Sequence, residues 1–164
     1  MNSIKFFSIA CLILFGQIVN AQNWAEELGL AKKSPIPFDI EFGSTSAPEE
    51  LSNNSNWSPE SPSEIEQIFN LTDFDGTAEL QIHFQEGNID GVLFHVETSE
   101  EALTDDEFAT VLDEFSEALG KPSQEMGKYL WEFDIKTHTL FVSLQNLAPY
   151  GEPGFTMNWH AFSK

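Results

Sequence analysis

Four histidines and 27 acidic residues supply most of the side chains in this 164-residue chain that could do chemistry. His83 and His95 fall in two alternating stretches, 77–86 and 90–97. These flank Glu86-Gly87-Asn88-Ile89-Asp90 and read as a β-hairpin. A three-residue loop at Gly87–Ile89 makes the apolar face continuous, with Phe84 opposite Val92, Ile82 opposite Phe94 and Leu80 opposite Val96. On the other face this register makes His83 and His95 diagonal neighbours, about 7–8 Å apart between backbones. Glu79, Gln81 and Glu97 share that face. Two imidazoles and a carboxylate suit zinc or copper, so His83, His95 and Glu97 are a candidate metal site. The plainer account is a polar sheet face turned to water.

Glu132 and Asp134 are two apart on an expected strand and therefore share a face. Carboxylate pairs flank the scissile bond in glycosidases, yet in a chain this acidic such pairs also arise on any solvated surface. Asp73-Phe74-Asp75-Gly76 matches the start of a calcium loop but lacks its later oxygen ligands, and reads as a turn. Phe42-Gly43-Ser44-Thr45-Ser46 is the nearest approach to a G-x-S-x-G nucleophile elbow and lacks the second glycine. The single cysteine, Cys11, lies in an N-terminal apolar run. No catalytic set assembles from these motifs, and none of them calls for a cofactor.

Several elements must position these groups. Residues 1–21 read as a secretory signal peptide: Lys5, an apolar stretch from Phe6 to Val19, and small residues at the −3 and −1 positions before cleavage after Ala21. Cleavage removes Cys11 and one lysine, leaving a formal charge of −21 and no thiol. Extracellular animal domains of this size usually lean on disulfides, so a bacterial periplasmic or secreted location is favoured. Asn53, Asn56 and Asn70 open N-x-Ser/Thr sequons, which matter only in a eukaryotic secretory path.

Residues 22–64 are loosely patterned. Trp24–Leu30 suggests a short helix, Ile36–Phe42 alternates like an edge strand, and Ser52–Ser63 is rich in Ser, Asn and Pro and reads as a surface loop. Ser61, Pro62 and Glu64 suggest a helix start, followed by Ile65, Ile68 and Phe69 as an apolar stripe. The core of the fold is expected in residues 65–164, in one domain with 22–64. There Thr104 and Glu107 form a capping box for a helix whose stripe is Phe108, Val111, Leu112, Phe115 and Leu119, ended by Gly120. Strands are expected at Tyr129–Ile135, Thr139–Gln145 and Phe155–Phe162, with a turn at Lys136-Thr137 setting Tyr129, Trp131 and Phe133 against Leu144, Val142 and Leu140. A hairpin, a helix and three strands give an α+β fold: an antiparallel sheet with one main amphipathic helix packed across one face. Leu119-Gly120-Lys121-Pro122 followed by Leu130-Trp131-Glu132-Phe133 resembles the helix-turn-hairpin of small bacterial envelope proteins of the SmpA/OmlA group; no function is carried over from that likeness.

A net charge of −20 with no arginine excludes the basic footprint that nucleic acid requires, and disfavours anionic membranes. A 41% hydrophobic share, with 15 phenylalanines, argues against a disordered acidic tail. The outer sheet face draws attention instead. Leu93, Leu130 and Phe141 point there by alternation, among Glu132 and Asp134, and apolar anchors ringed by carboxylates are the anatomy of a protein-binding patch. The competing possibility is that residues 24–51 fold over this face and bury it. The function expected first is a secreted or periplasmic, non-enzymatic binding module, of inhibitor or immunity type, acting on a basic protein partner. The second is an envelope or secreted hydrolase of carbohydrate or peptidoglycan, using carboxylate or metal-assisted chemistry.

Overall fold

The computed structural model describes residues 23–31, 34–60, 62–98, 102–135 and 138–164. The expected signal peptide, Ser61 and the Lys136-Thr137 turn lie outside them. The chain forms an α+β fold dominated by one antiparallel sheet of eight strands. Its elements are helices α1 (Trp24–Glu27) and α2 (Glu49–Ser52), strands β1 (Trp57–Pro59), β2 (Glu66–Leu71), β3 (Gly76–Gln85) and β4 (Asn88–Thr98), helix α3 (Asp105–Leu119), and strands β5 (Ser123–Glu125), β6 (Lys128–Ile135), β7 (His138–Asn146) and β8 (Phe155–Ser163). Sheet order is β1-β2-β3-β4-β8-β7-β6-β5, so two meanders of four strands each join along β4 and β8. Both outermost strands are only three residues long, so each covers only part of the strand beside it.

The main helix forms as its sequence dictates. The Thr104 hydroxyl accepts from the Glu107 backbone N–H, and the Glu107 carboxylate accepts from the Thr104 backbone N–H at 2.8 Å, completing the capping box. Phe108, Val111, Phe115 and Leu119 are buried along one stripe, and Gly120 stops the helix at a φ of 95°. The β6–β7 register matches expectation, with Tyr129, Trp131 and Phe133 opposite Leu144, Val142 and Leu140.

The first hairpin is corrected in register but not in face. Its turn is Glu86-Gly87, with φ of 52° and 78°, the doubly positive pair of a two-residue hairpin loop. Gln85 then pairs with Asn88. A bulge leaves Asp90 without a partner, after which Ile82 faces Val92, Leu80 faces Phe94 and Ala78 faces Val96. Every apolar pair is thus displaced by two residues from the three-residue-loop register. The bulge restores the alternation that the tighter turn would have inverted.

Three further expectations fail, two of them because long-range pairing outweighs short-range propensity. Residues 65–69 do not form a helix. They lead into and form β2, where Gln67 and Phe69 pair with Ile82 and Leu80, and Ile65 is left exposed. The turn signal before it was real, but Ser63 carries it: its hydroxyl accepts from the Glu66 N–H at 3.0 Å in a turn that feeds a strand. A helix of so few residues cannot compete with a ladder on a formed sheet. Ile36–Phe42 is no strand but a 3-10 turn at Pro37–Asp39, with Phe38 and Asp39 at positive φ. The Ser52–Ser63 loop contains β1, which pairs with Phe69–Leu71 and buries Trp57.

Among the described residues, all the cover lies on one side of the sheet. Trp24 packs against Phe74, Phe94 and Phe155, and Trp57 contacts Phe38 and Phe94. Phe115 of α3 reaches Phe155 as well. The Trp159 indole N–H donates to the Pro35 carbonyl at 2.8 Å, holding the N-terminal segment down. Residues 24–57 and the sheet therefore share one buried cluster, and the segment joins α3 on the inner face instead of covering the outer one.

Candidate functional site

The outer face is built by simple alternation. Where Leu140, Val142 and Leu144 of β7 are buried, Thr139, Phe141, Ser143 and Gln145 point away; where Phe155, Met157 and Trp159 of β8 are buried, Thr156, Asn158, His160 and Phe162 do. Phe141 and Phe162 are 43% and 58% exposed, two large rings left in water on the same face. They meet edge to face, with centroids 5.6 Å apart and an interplanar angle of 78°, a geometry aromatic rings prefer. The pairings of Phe141 with His160 and of Thr139 with Phe162 make the two rings diagonal neighbours across β7 and β8.

Strand β6 supplies the rim. Glu132 lies directly opposite Phe141, Leu130 opposite Ser143 and Asp134 opposite Thr139. Leu130, Phe141 and Phe162 thus run diagonally over three strands, with the two carboxylates along one side. The Lys164 ammonium reaches Asp134 at 2.9 Å, both side chains being largely exposed. Of the residues singled out from sequence, Leu130, Glu132, Asp134 and Phe141 are brought together. Leu93 stands two strands away from Phe141, on the far side of β8, opposite Asn158. Phe162, which completes the patch, was missed as a site residue because its place on the face depends on β7–β8 pairing.

The candidate metal site does not assemble as the expected register placed it. His83 faces Gly91, and His95 faces Glu79, so the two histidines are not diagonal neighbours. Glu97 lies at the strand end, opposite Thr77. Over the buried Gly91, His83 instead has His160 as a neighbour: a Cβ on Gly91 would lie 3.6 Å from the His160 ring and 3.8 Å from the His83 Cβ. Among the described residues no group of three or more His, Cys, Asp or Glu is placed to hold a metal ion. Asp73 and Asp75 are exposed turn residues leading to Gly76, whose Cβ position would fall 2.3 Å from the Glu97 carbonyl oxygen, so only glycine fits there. The Ser44 hydroxyl donates to the Ser46 carbonyl in a local turn.

Charge is distributed unevenly. Strand positions on the outer face carry Glu66, Glu79, Glu97, Glu125, Glu132 and Asp134; none lies on β7 or β8, and Glu97 is near the end of β4. Most other acids lie on α3, the N-terminal cover and the loops. One cavity of about 650 Å³ is lined there by Glu26, Glu27, Asp39 and Glu50, with Asn23, Asn54 and Asn56 and the Phe38 ring. These residues come from four separate short stretches, so no spacing in the sequence announced them. Nearby, Glu114 of α3 accepts from the Trp24 N–H at 3.2 Å. Burial pushes its carboxyl above its ordinary range, partly opposed by that hydrogen bond. Glu107 moves the other way, because its hydrogen bonds from Thr104 favour the ionised form.

Among the described residues no helix is long and apolar enough to cross a membrane. The likeness to SmpA/OmlA proteins reduces to a local helix-turn-hairpin, Leu119 to Ile135, of a kind many folds contain. Compared with models of protein families, with curated proteins and with solved structures, the chain matches none.

Proposed function

We propose that this protein is a secreted or periplasmic, non-enzymatic binding module that engages a basic protein partner through the outer face of its sheet, in the manner of an inhibitor or immunity protein. One observation carries the reading. The N-terminal segment packs on the helix side, leaving Phe141 and Phe162 in water beside Glu132 and Asp134. Exposed aromatic anchors with a charged rim suit a partner with an apolar centre and cationic margins. The strong negative field of the whole chain speeds encounter with such a partner in a salt-dependent way.

The test is capture from native envelope extract by the processed protein. Wild type should retain a basic protein at low salt and release it at high salt, and Phe141→Ser/Phe162→Ser should retain none while staying folded. Capture indifferent to both salt and the double substitution would sink the proposal. A second reading, a carbohydrate or peptidoglycan hydrolase, is favoured by one observation: the cavity with four carboxylates and three carboxamides. Release of soluble fragments from peptidoglycan by wild type, lost in Glu50→Gln, would support it. Glu132 and Asp134, exposed on an open face, lend it nothing.

A further inference from the structure

We propose that the open edge of β6 accepts an added strand, an extended segment of the partner in which Lys or Arg alternates with apolar residues. The proposal rests on the basic-partner reading above and specifies how the partner is held. Strand β5 pairs only with Lys128, Tyr129 and Leu130, whereas β6 runs on to Ile135. Among the described residues, no backbone hydrogen bond is made on that side of β6 from Glu132 to Ile135.

The direction of the backbone groups follows from the hairpins. Glu125 and Lys128 flank the two-residue turn Met126-Gly127, whose φ values are 50° and 79°. A pair closing such a turn exchanges both its hydrogen bonds. Lys128 and Leu130 therefore aim N–H and C=O at β5. By alternation Tyr129, Trp131, Phe133 and Ile135 aim at β7, and Glu132 and Asp134 aim at the open side. Two residues thus present unpaired donors and acceptors along an extended edge, the template used in strand addition.

The side chains of the same two residues choose the occupant. An added strand sets alternate residues beside Glu132 and Asp134 on the outer face, where opposite charges stabilise and like charges destabilise. The residues between them fall beside half-buried Phe133 and Ile135 on the covered side, where apolar side chains extend the existing core. A second copy of this chain is disfavoured by the same rule, since two β6 edges would set carboxylate against carboxylate. Lys164 already seats an ammonium on Asp134, and an exposed pair of this kind exchanges readily for a partner's cation.

Amide hydrogen exchange on the full processed chain tests this, with a short synthetic peptide alternating lysine and valine as probe and its glutamate-for-lysine counterpart as control. The lysine peptide should slow exchange at the Glu132 and Asp134 amides by about tenfold or more at low salt, and the glutamate peptide should not. Glu132→Pro removes an outward N–H without touching the β7 ladder and should abolish binding, whereas Glu132→Gln should weaken it only about two- to fivefold. Glu132→Lys/Asp134→Lys should reverse the preference between the two peptides, a readout independent of how well the proline variant folds. A lysine peptide that perturbs Phe141 and Phe162 but leaves the edge amides unprotected overturns strand addition and leaves the basic-partner reading standing. No binding of that peptide by wild type overturns strand addition, and absence of salt-dependent capture from extract overturns the reading beneath it.

Discussion

The two faces of the sheet are produced by the same strands, with the same period, and differ in almost everything else. On the inner face Phe94, Phe155, Trp159 and Leu80 are sealed under α3 and the N-terminal segment. On the outer face β7 and β8 carry Thr, Ser, Asn, Gln, His and two exposed phenylalanines, with acids only on the flanking strands and near the end of β4. Alternation alone makes one face apolar and the other polar. It does not explain Phe141 and Phe162, whose exposure costs solvation and returns little packing. A chain with so many acids could have filled these central positions with charge and did not. Its acids lie mostly on the cover and the loops, which leaves the middle of the open face free to be desolvated by a partner.

The comparison breaks if the two faces prove energetically alike. Phe94→Ala should cost about 3–5 kcal/mol in urea denaturation, because it empties the centre of an aromatic cluster. Thr104→Ala, which removes the helix cap on the covering layer, should cost about 1 kcal/mol. The Glu107 carboxyl is lowered by the same cap, so the stability it contributes is present above its ordinary value. That contribution is lost as pH falls through the lowered folded value. Glu107→Gln, which removes the carboxyl itself, should therefore flatten the acid limb of the stability profile, whereas Thr104→Ala keeps the backbone N–H that lowers it most and should leave most of that limb in place. Phe141→Ala on the open face should change stability by only about 0.5 kcal/mol; a cost near that of Phe94→Ala would mean that something covers the patch.

The smallest expected effect concerns the joint between the cover and the helix. Burial raises the Glu114 carboxyl, so its favourable contribution is full below the ordinary value and lost as pH rises through the raised folded one. Glu114→Gln cannot ionise, while its carbonyl can still accept from the Trp24 N–H. Relative to wild type, this variant should gain stability between acid and neutral pH, measured by thermal unfolding. A profile parallel to wild type would show that the carboxyl is well solvated.

How far the sequence could be read depended on how local the deciding interaction was. The α3 cap, its stripe and the β6–β7 register rest on contacts within a helical turn or across a two-residue connection, and all were legible. The strand at residues 66–71 was not. Ile68 and Phe69 fit either period, and the choice was made by β3, a partner that short-range patterning does not see. The register of the first hairpin turned on Glu86 accepting a positive φ, which its residue type does not advertise. For the candidate site, Leu130, Glu132 and Phe141 were legible because alternation assigns a face within one hairpin. Phe162 and the separation of Leu93 depend on where β8 inserts, and the acidic cavity depends on how α1, the 3-10 turn and α2 with the residues after it meet.

That insertion has a consequence for how the chain reaches its folded state. Each meander can zip up between neighbours in sequence, but the β4–β8 seam joins residues as distant along the chain as Val92 and Trp159. Closing it requires the helix and three intervening strands to be held in one large loop, an entropic cost incurred before any seam contact forms. Non-local strand pairing of this kind is slow, on the order of milliseconds to seconds. Until the seam closes, the inner edges of β4 and β8 are both unpaired, and the heavy negative charge, through mutual repulsion between chains, keeps those edges apart from their counterparts on other molecules.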